Sequence, residues 1–316
     1  MTAPLLQVQD LTLYRGSRKI LDSVSLDLAP GETLALVGES GAGKSTISAA
    51  LMGLVEGARV EGHARFDDVP DLIGLNEKGW SRLRGRRLSM VFQDAGAALN
   101  PCYTVGSQLA TVLRRNMGLP RKQAHARAVE LLESVGINDA RARMQAYPHQ
   151  LSGGMQQRVM VAIALACNPE LLFADEPTSA LDVTIQAQIV RLILDQTRAH
   201  GASCIFVLHD LALASQACDR IVVLYAGQVM ESGRCDVVLA DPRHPYTKLL
   251  KSCVVEIGTE NLDPPEGGVP SYDALPQGCR FASRCPRAQD QCWASRPPLT
   301  ESAGRMMACW NPEVAA

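Results

Sequence analysis

Gly38-Glu39-Ser40-Gly41-Ala42-Gly43-Lys44-Ser45 has the spacing G-x-x-x-x-G-K-[ST] of a phosphate-binding loop. Glycines at these positions let backbone N–H groups curl around an anion. A helix N-terminus aimed at the same anion adds a partial positive charge. In such a loop Lys44 reaches the β- and γ-phosphates of a nucleotide, and the Ser45 hydroxyl ligates Mg²⁺. The apolar run Thr33–Val37 reads as a buried strand entering the loop, and Thr46–Met52 as a helix leaving it. Strand, loop and helix together are the context this motif requires, which sets it apart from a chance glycine-rich turn.

A second helix start lies at Leu151-Ser152-Gly153-Gly154-Met155, where Ser152 is a good N-cap and the helix is expected to run to Cys167. Its exposed glycine backbone makes it a second potential phosphate site. One nucleotide in one chain has little use for two such sites, whereas two chains facing each other would use both. Leu171–Ala174 is an apolar strand ending in Asp175-Glu176, with Asp175 suited to Mg²⁺ and Glu176 to polarising a water. A strand ending in acids is common in itself. The turn Ser179-Ala180-Leu181-Asp182 follows. His209 closes a third buried strand, Ser203–Leu208, at the end where ligands gather in an open α/β sheet. Tyr14, at the end of the strand Leu5–Tyr14, either stacks on an adenine or caps the core.

The remaining pattern supplies the elements that hold these groups. Leu5–Tyr14 and Ser23–Leu28 alternate as two strands of a sheet with one solvated face, and Arg59–Phe66 is another β segment. Leu88–Phe92 is a strand followed by Gln93, and the cluster Arg82, Arg84, Arg86 and Arg87 before it reads as a solvated turn. Residues 105–143 turn helical, with Gly118-Leu119-Pro120 and Gly136 as breakers. Thr184–His200 is a helix, and Arg220–Leu224 and Gln228–Glu231 are further strands. His244-Pro245-Tyr246-Thr247 opens a short helix to Ser252, and Leu262–Pro276, rich in Pro and Gly, reads as a linker.

A formal net charge of −2 gives no electrostatic case for nucleic acid. No apolar run approaches the ~18 residues of a membrane span, and the N-terminus lacks the basic and apolar regions of a signal peptide. The expectation is a soluble, cytosolic protein of about two domains whose ten cysteines stay reduced. Six of them lie in apolar or helical contexts, and Cys279, Cys285, Cys292 and Cys309 crowd the tail.

With these residues in place the chain resembles an ATP-binding subunit of an ABC transporter. The resemblance rests on the loop Gly38–Ser45, Gln93, the signature Leu151–Met155, Asp175-Glu176, Ser179–Asp182 and His209, in that order, and covers roughly residues 5–240. His244-Pro245-Tyr246-Thr247, Gly278–Pro286, Cys292 and Cys309 are similar to the C-terminal extension of the dipeptide/oligopeptide and nickel importer subfamily. After Gln93-Asp94 that subfamily usually has proline, and here Ala95-Gly96 stands instead.

The resemblance implies an α/β fold: a P-loop ATPase core with an antiparallel β subdomain and a helical subdomain at about 105–167. An ATP-binding domain would span 1–240 and a Cys-rich extension 241–316. It implies a head-to-tail dimer with ATP between the loop of one subunit and the signature of the other. Tyr14 would stack adenine; Gly38, Glu39, Ser40, Gly41, Ala42, Gly43, Lys44, Ser45 and Thr46 would hold phosphates and Mg²⁺. Gln93 and Asp175 would also serve Mg²⁺, with Gln93 touching the attacking water as well. Glu176 would be the general base, and His209 would contact the γ-phosphate. Ser152, Gly153, Gly154 and Asp182 would meet the partner subunit's ATP. The implied partners are a second ATP-binding subunit, two membrane permease subunits and an extracytoplasmic solute-binding protein, with no nucleic acid. Attachment would be peripheral, on the cytoplasmic side of the membrane. The activity would be ATP hydrolysis driving uptake of peptides or related solutes; nickel or opine-like solutes, and a soluble ABC ATPase uncoupled from transport, are the alternatives.

The tail spacing C-x₅-C-x₆-C-x₁₆-C sits in a segment with too little apolar sequence for a core of its own, so a staple is expected. Zinc usually takes tighter pairs, a looser set suits a larger cluster, and the resembling importers are associated with [4Fe–4S]. The expectation is therefore that cluster on Cys279, Cys285, Cys292 and Cys309, with zinc or free thiols docking the tail as the alternatives.

Overall fold

The structure is a computed structural model, which describes residues 3–178, 182–253, 267–302 and 304–313. The expected turn at Ser179-Ala180-Leu181 and the first part of the expected linker, 262–266, lie outside the described residues. In chain order the elements are β1 (Leu6–Arg15), β2 (Arg18–Leu28), β3 (Thr33–Val37), α1 (Lys44–Leu51), β4 (Ala58–Phe66), α2 (Glu77–Leu83), β5 (Leu88–Val91), α3 (Ala95–Ala98), α4 (Val105–Met117), α5 (Arg121–Ser134), α6 (Ala140–Arg143) and α7 (Gly153–Leu165). Then come β6 (Leu171–Asp175), α8 (Val183–His200), β7 (Ser203–Leu208), α9 (Leu211–Ala217), β8 (Arg220–Tyr225), β9 (Gln228–Arg234), α10 (Cys235–Ala240), α11 (Pro245–Ser252), α12 (Asp290–Ala294), β10 (Thr300–Ser302) and β11 (Arg305–Met307).

The chain forms two compact units, 1–75 with 207–316, and 76–206, and passes from the second back to the first within β7. In the first unit β2-β1-β4 is an antiparallel sheet with one wetter face; the alternation of β1 breaks after Val8, where the register shifts and Leu11, Thr12 and Leu13 are all buried. The same unit holds the strand order β10-β11-β9-β8-β3, in which β3 runs parallel to β8 and the rest are antiparallel. Every residue of β3 is buried, so its apolar run needs no alternation.

The second unit places β7-β6-β5 beside a helical part. β5 and β6 are parallel and fully buried. Thr104 caps α4 by accepting from the Ser107 N–H, and Gly118, at φ 68°, ends it. Val105, Leu109 and Leu113 put one face of α4 in the core at i, i+4, i+8 spacing. The arginine cluster expected as a solvated turn is partly helix α2, capped by Asn76. Arg84 stacks over Trp80 and pairs with Glu77, and Arg87 holds Glu170 in a two-point bond at 2.9 Å. Arg82 and Arg86 are exposed, as a solvated turn would have them, but the charge pattern alone does not reveal that Arg84 and Arg87 have an acid or a ring as partner.

The C-terminal segment builds no core of its own; it shares that of the first unit. β11 adds to the edge of β9, and the fully buried Phe281 packs its ring 5.3 Å from Tyr225 and 5.2 Å from Tyr246. Two buried ion pairs fasten it further, Arg280 to Asp22 at 2.9 Å and Arg305 to Glu231 at 3.1 Å. Breaking such a pair from one side is costly because it strands a buried charge.

Candidate nucleotide site

The loop 38–43 bridges β3 to α1 in the first unit. A Cβ on Gly38 would stand 2.1 Å from the Leu224 carbonyl oxygen, and one on Gly43 2.7 Å from the Leu21 side chain. Both residues also have positive φ, 147° and 100°, so glycine is required twice over. Lys44 is 4% exposed, and its ammonium donates to the carbonyls of Gly38 at 2.8 Å and Glu39 at 3.0 Å. No side chain caps α1. An uncapped helix start, a concave glycine backbone and a buried ammonium match what a nucleotide's phosphates require. Gly38 also lines a pocket with His209, Asp210, Leu211, Ala212 and Leu250, so the expected γ-phosphate sensor shares a cleft with the loop's first glycine. Tyr14, next to last in β1, has the Arg59 guanidinium 4.3 Å and the Lys19 ammonium 5.7 Å from its ring centre.

The carboxylates and the signature belong to the second unit. Val91 and Ala174 are register partners in the parallel pair β5-β6, so Gln93 and Glu176, two residues beyond each, come side by side. The Gln93 amide donates to Glu176 Oε2 at 2.7 Å. Asp175 is 9% exposed, and Glu176 sits at φ 43°, an unfavourable conformation for a non-glycine residue held at the strand's end. Ser152 caps α7 by accepting from the Met155 N–H at 3.4 Å, and both Ser152 and Gly153 are exposed. Asp182 is an exposed N-cap of α8. Where the resembling subfamily has proline, Ala95-Gly96 opens the short helix α3, capped by the Asp94 carboxylate, which accepts from the Ala97 N–H at 3.1 Å.

The iron–sulfur expectation is overturned, and zinc with it. Among the described residues no group of three or more His, Cys, Asp or Glu is placed to hold a metal ion. Cys279, Cys285, Cys292 and Cys309 are free thiols around one apolar cavity that Phe281 and Trp310 also line. Burial pushes the Cys279 and Cys285 thiols up and that of Cys309 to about 11, which favours the neutral thiol over the thiolate a metal needs. The premise of a staple also fails, because the tail borrows the core of the first unit.

Sequence reasoning gave no role to three side chains that bond the phosphate loop. The Glu39 N–H donates to the Tyr246 hydroxyl at 3.0 Å, Tyr272 donates to the Gly41 carbonyl at 2.7 Å, and Arg284 clasps the Glu39 carboxylate at 2.7 and 2.9 Å. The visible signal was two arginines, 280 and 284, flanking Phe281 one helical turn apart in a segment otherwise read as a cysteine framework.

The loop and its α/β setting define a P-loop nucleotide-binding protein. Residues 21–179 match the ABC transporter family, and 230–292 match the oligopeptide/dipeptide transporter C-terminal region. The chain belongs to the ABC transporter ATP-binding family. It is 45% identical over 316 residues to the oligopeptide transport ATP-binding protein AppD of Bacillus subtilis, covering 97% of this chain and 96% of that one. It is 43% identical to the dipeptide transport ATP-binding protein DppD of Escherichia coli K12, covering 98% and 97%. Among solved structures, the ATP-binding cassette MJ0796, a dimer bound to ADP and Pi in a post-hydrolysis state, superposes with a TM-score of 0.65 at 28% identity, covering 73% of this chain and 98% of that one. Among the described residues no helix is long and apolar enough to cross a membrane.

Proposed function

We propose that this chain is the ATP-hydrolysing subunit of an ABC importer that takes up peptides, attached peripherally to the cytoplasmic face of its membrane. The observation that carries the reading is Lys44, buried and held on the carbonyls of its own loop where a β,γ-phosphate would draw it away. The peptide class is supported by the relatives' names and by the C-terminal region match. Mg²⁺, when bound, would neutralise the phosphate oxygens; Ser45 in the first unit is a proposed ligand, and Gln93 and Asp175 in the second offer donors of the same kind.

Loop residues 38–46 grip the phosphates, and Tyr14 stacks on adenine. Glu176 takes a proton from the attacking water, oriented by the Gln93 amide it already accepts from. His209 contacts the γ-phosphate. Ser152, Gly153 and Asp182, exposed at two helix starts, and the half-buried Gly154 serve the ATP of a second ATP-binding subunit. The loop after Gln93, where Cys102 and Tyr103 are exposed, meets one of two permease subunits, and an extracytoplasmic binding protein delivers the solute.

The test is MgATP hydrolysis by the chain reconstituted with the permease subunits encoded beside it. Stimulation by peptide-loaded binding protein, with crosslinks from Cys102 to a permease subunit, is the expected result. Hydrolysis indifferent to permease and peptide would favour an ATPase uncoupled from transport.

A further inference from the structure

Besides β11 on β9 and the Arg305–Glu231 pair, several contacts of the C-terminal segment with the rest of the first unit fall on the phosphate loop. Arg284 is 4% exposed and reaches the loop through both nitrogens of its fork, one of which also donates to the Tyr225 hydroxyl at 3.2 Å. Tyr225, Tyr246 and Phe281 form a box of edge-on and tilted rings, with centroids 4.6–5.3 Å apart. Arg280 makes a second approach from below. It bonds the Ala226 carbonyl, and the next residue, Gly227, donates its N–H to Ala42 O at 2.8 Å. Three successive parts of the loop, Glu39, Gly41 and Ala42, are therefore held directly or through one residue by side chains beyond residue 240.

An anion-binding loop works by having its N–H groups already aimed. Resting on the proposed ATPase reading, we propose that Arg284, with Tyr272 and Arg280, positions the phosphate loop, so that the C-terminal segment sets how tightly this chain binds nucleotide. Glu39 is the handle: Arg284 holds its carboxylate while the Tyr246 hydroxyl accepts its N–H, so both its side chain and its backbone are fixed from the C-terminal segment. These are positioning residues, since they touch the loop and not the ligand site.

The experiment compares full-length wild-type protein with Arg284→Gln, Arg284→Lys, Tyr272→Phe and Arg305→Gln. Arg305→Gln breaks a tail-to-core ion pair as buried as the Arg284 pair but away from the loop. The first readout, amide hydrogen exchange of residues 38–44 without nucleotide, judges the positioning even if the chain binds no ATP. Faster exchange in Arg284→Gln and Tyr272→Phe, with the Arg305→Gln loop unchanged, is the expected result.

The second readout is MgATP affinity. Arg284→Gln loses about tenfold, as expected for one charge-assisted bond, while Arg284→Lys recovers part of it and Arg305→Gln stays at wild type. Wild-type loop exchange in both Arg284→Gln and Tyr272→Phe overturns the proposal. So does an Arg305→Gln protein that loses affinity as much as Arg284→Gln. A wild-type protein that binds no nucleotide overturns the ATPase reading instead, and the exchange result still decides the positioning.

Discussion

Two helix starts in this chain carry glycines and a hydroxyl, and they are built in opposite ways. At α1 the N-cap is Gly43, no side chain closes the first turn, and the loop before it is packed so tightly that Gly38 and Gly43 admit no Cβ. At α7 Ser152 closes the turn itself, Gly153 stands exposed, and a Cβ on Gly154 would meet Ile185 at an ordinary 3.5 Å. The first end is left open toward its loop and braced by the rest of its own unit. The second is already satisfied and has surface to offer to something else. A glycine-rich helix start is thus not one device: burial and capping decide whether it is a ligand cradle or a docking face.

Substitutions can break that distinction. The largest expected effect is on hydrolysis by Glu176→Gln, which keeps the binding groups and removes the base. Turnover falls by about 10²–10⁴-fold while MgATP affinity is kept, as measured by phosphate release and by equilibrium binding. Lys44→Ala removes the buried ammonium from the α1 cradle, and MgATP affinity of the chain alone drops by about a hundredfold in the same binding assay. Ser152→Ala, at the other helix start, leaves that affinity unchanged and lowers only dimer-dependent hydrolysis. Equal affinity losses at the two positions would abolish the division between cradle and docking face.

The bracing of the first unit has its own signature in pH. Burial lowers the His244 pKa to about 4 from 6.5, and its Nδ1 accepts from the Tyr246 N–H at 3.0 Å. Between those values the unfolded chain binds the extra proton, so stability falls as pH drops from 6.5 toward 4. At most ~3 kcal/mol is lost across that window. Urea unfolding at several pH values should show this slope in the wild type and lose it in His244→Asn, which retains an acceptor for the helix cap. The smallest effect is Ser152→Ala on stability, about 1 kcal/mol for a lost cap, read from the same unfolding curves at neutral pH.

Much of the site was legible because it is written locally. The strand entering the loop is β3 as expected, the helix leaving it begins at Lys44, and the strand before Asp175-Glu176 is β6. His209 does follow a fully buried strand, and Ser152 does cap a helix. The arginine cluster misled because charge reads as solvation until its partners are seen, and Glu170 lies 83 residues from Arg87. The hairpin β10-β11 escaped because strands of three residues have no period to detect. The cysteine tail misled for the opposite reason: a tidy count of four thiols suggested a metal, and nothing in the spacing says that burial favours the neutral thiol at Cys279, Cys285 and Cys309.

The sequence by itself determined the phosphate loop, its flanking strand and helix, the paired acids at a strand end and the second helix start. Each depends on residues within one or two turns of chain, where glycine conformation, capping and burial period act directly. Only the tertiary structure decided that Gln93 meets Glu176, because that requires the register of β5 on β6. It also decided that Arg284 and Tyr272 reach Glu39 and Gly41, more than two hundred residues back. Such contacts are selected by the packing of a shared core, and no local spacing of amino acids encodes which arginine will find which acid.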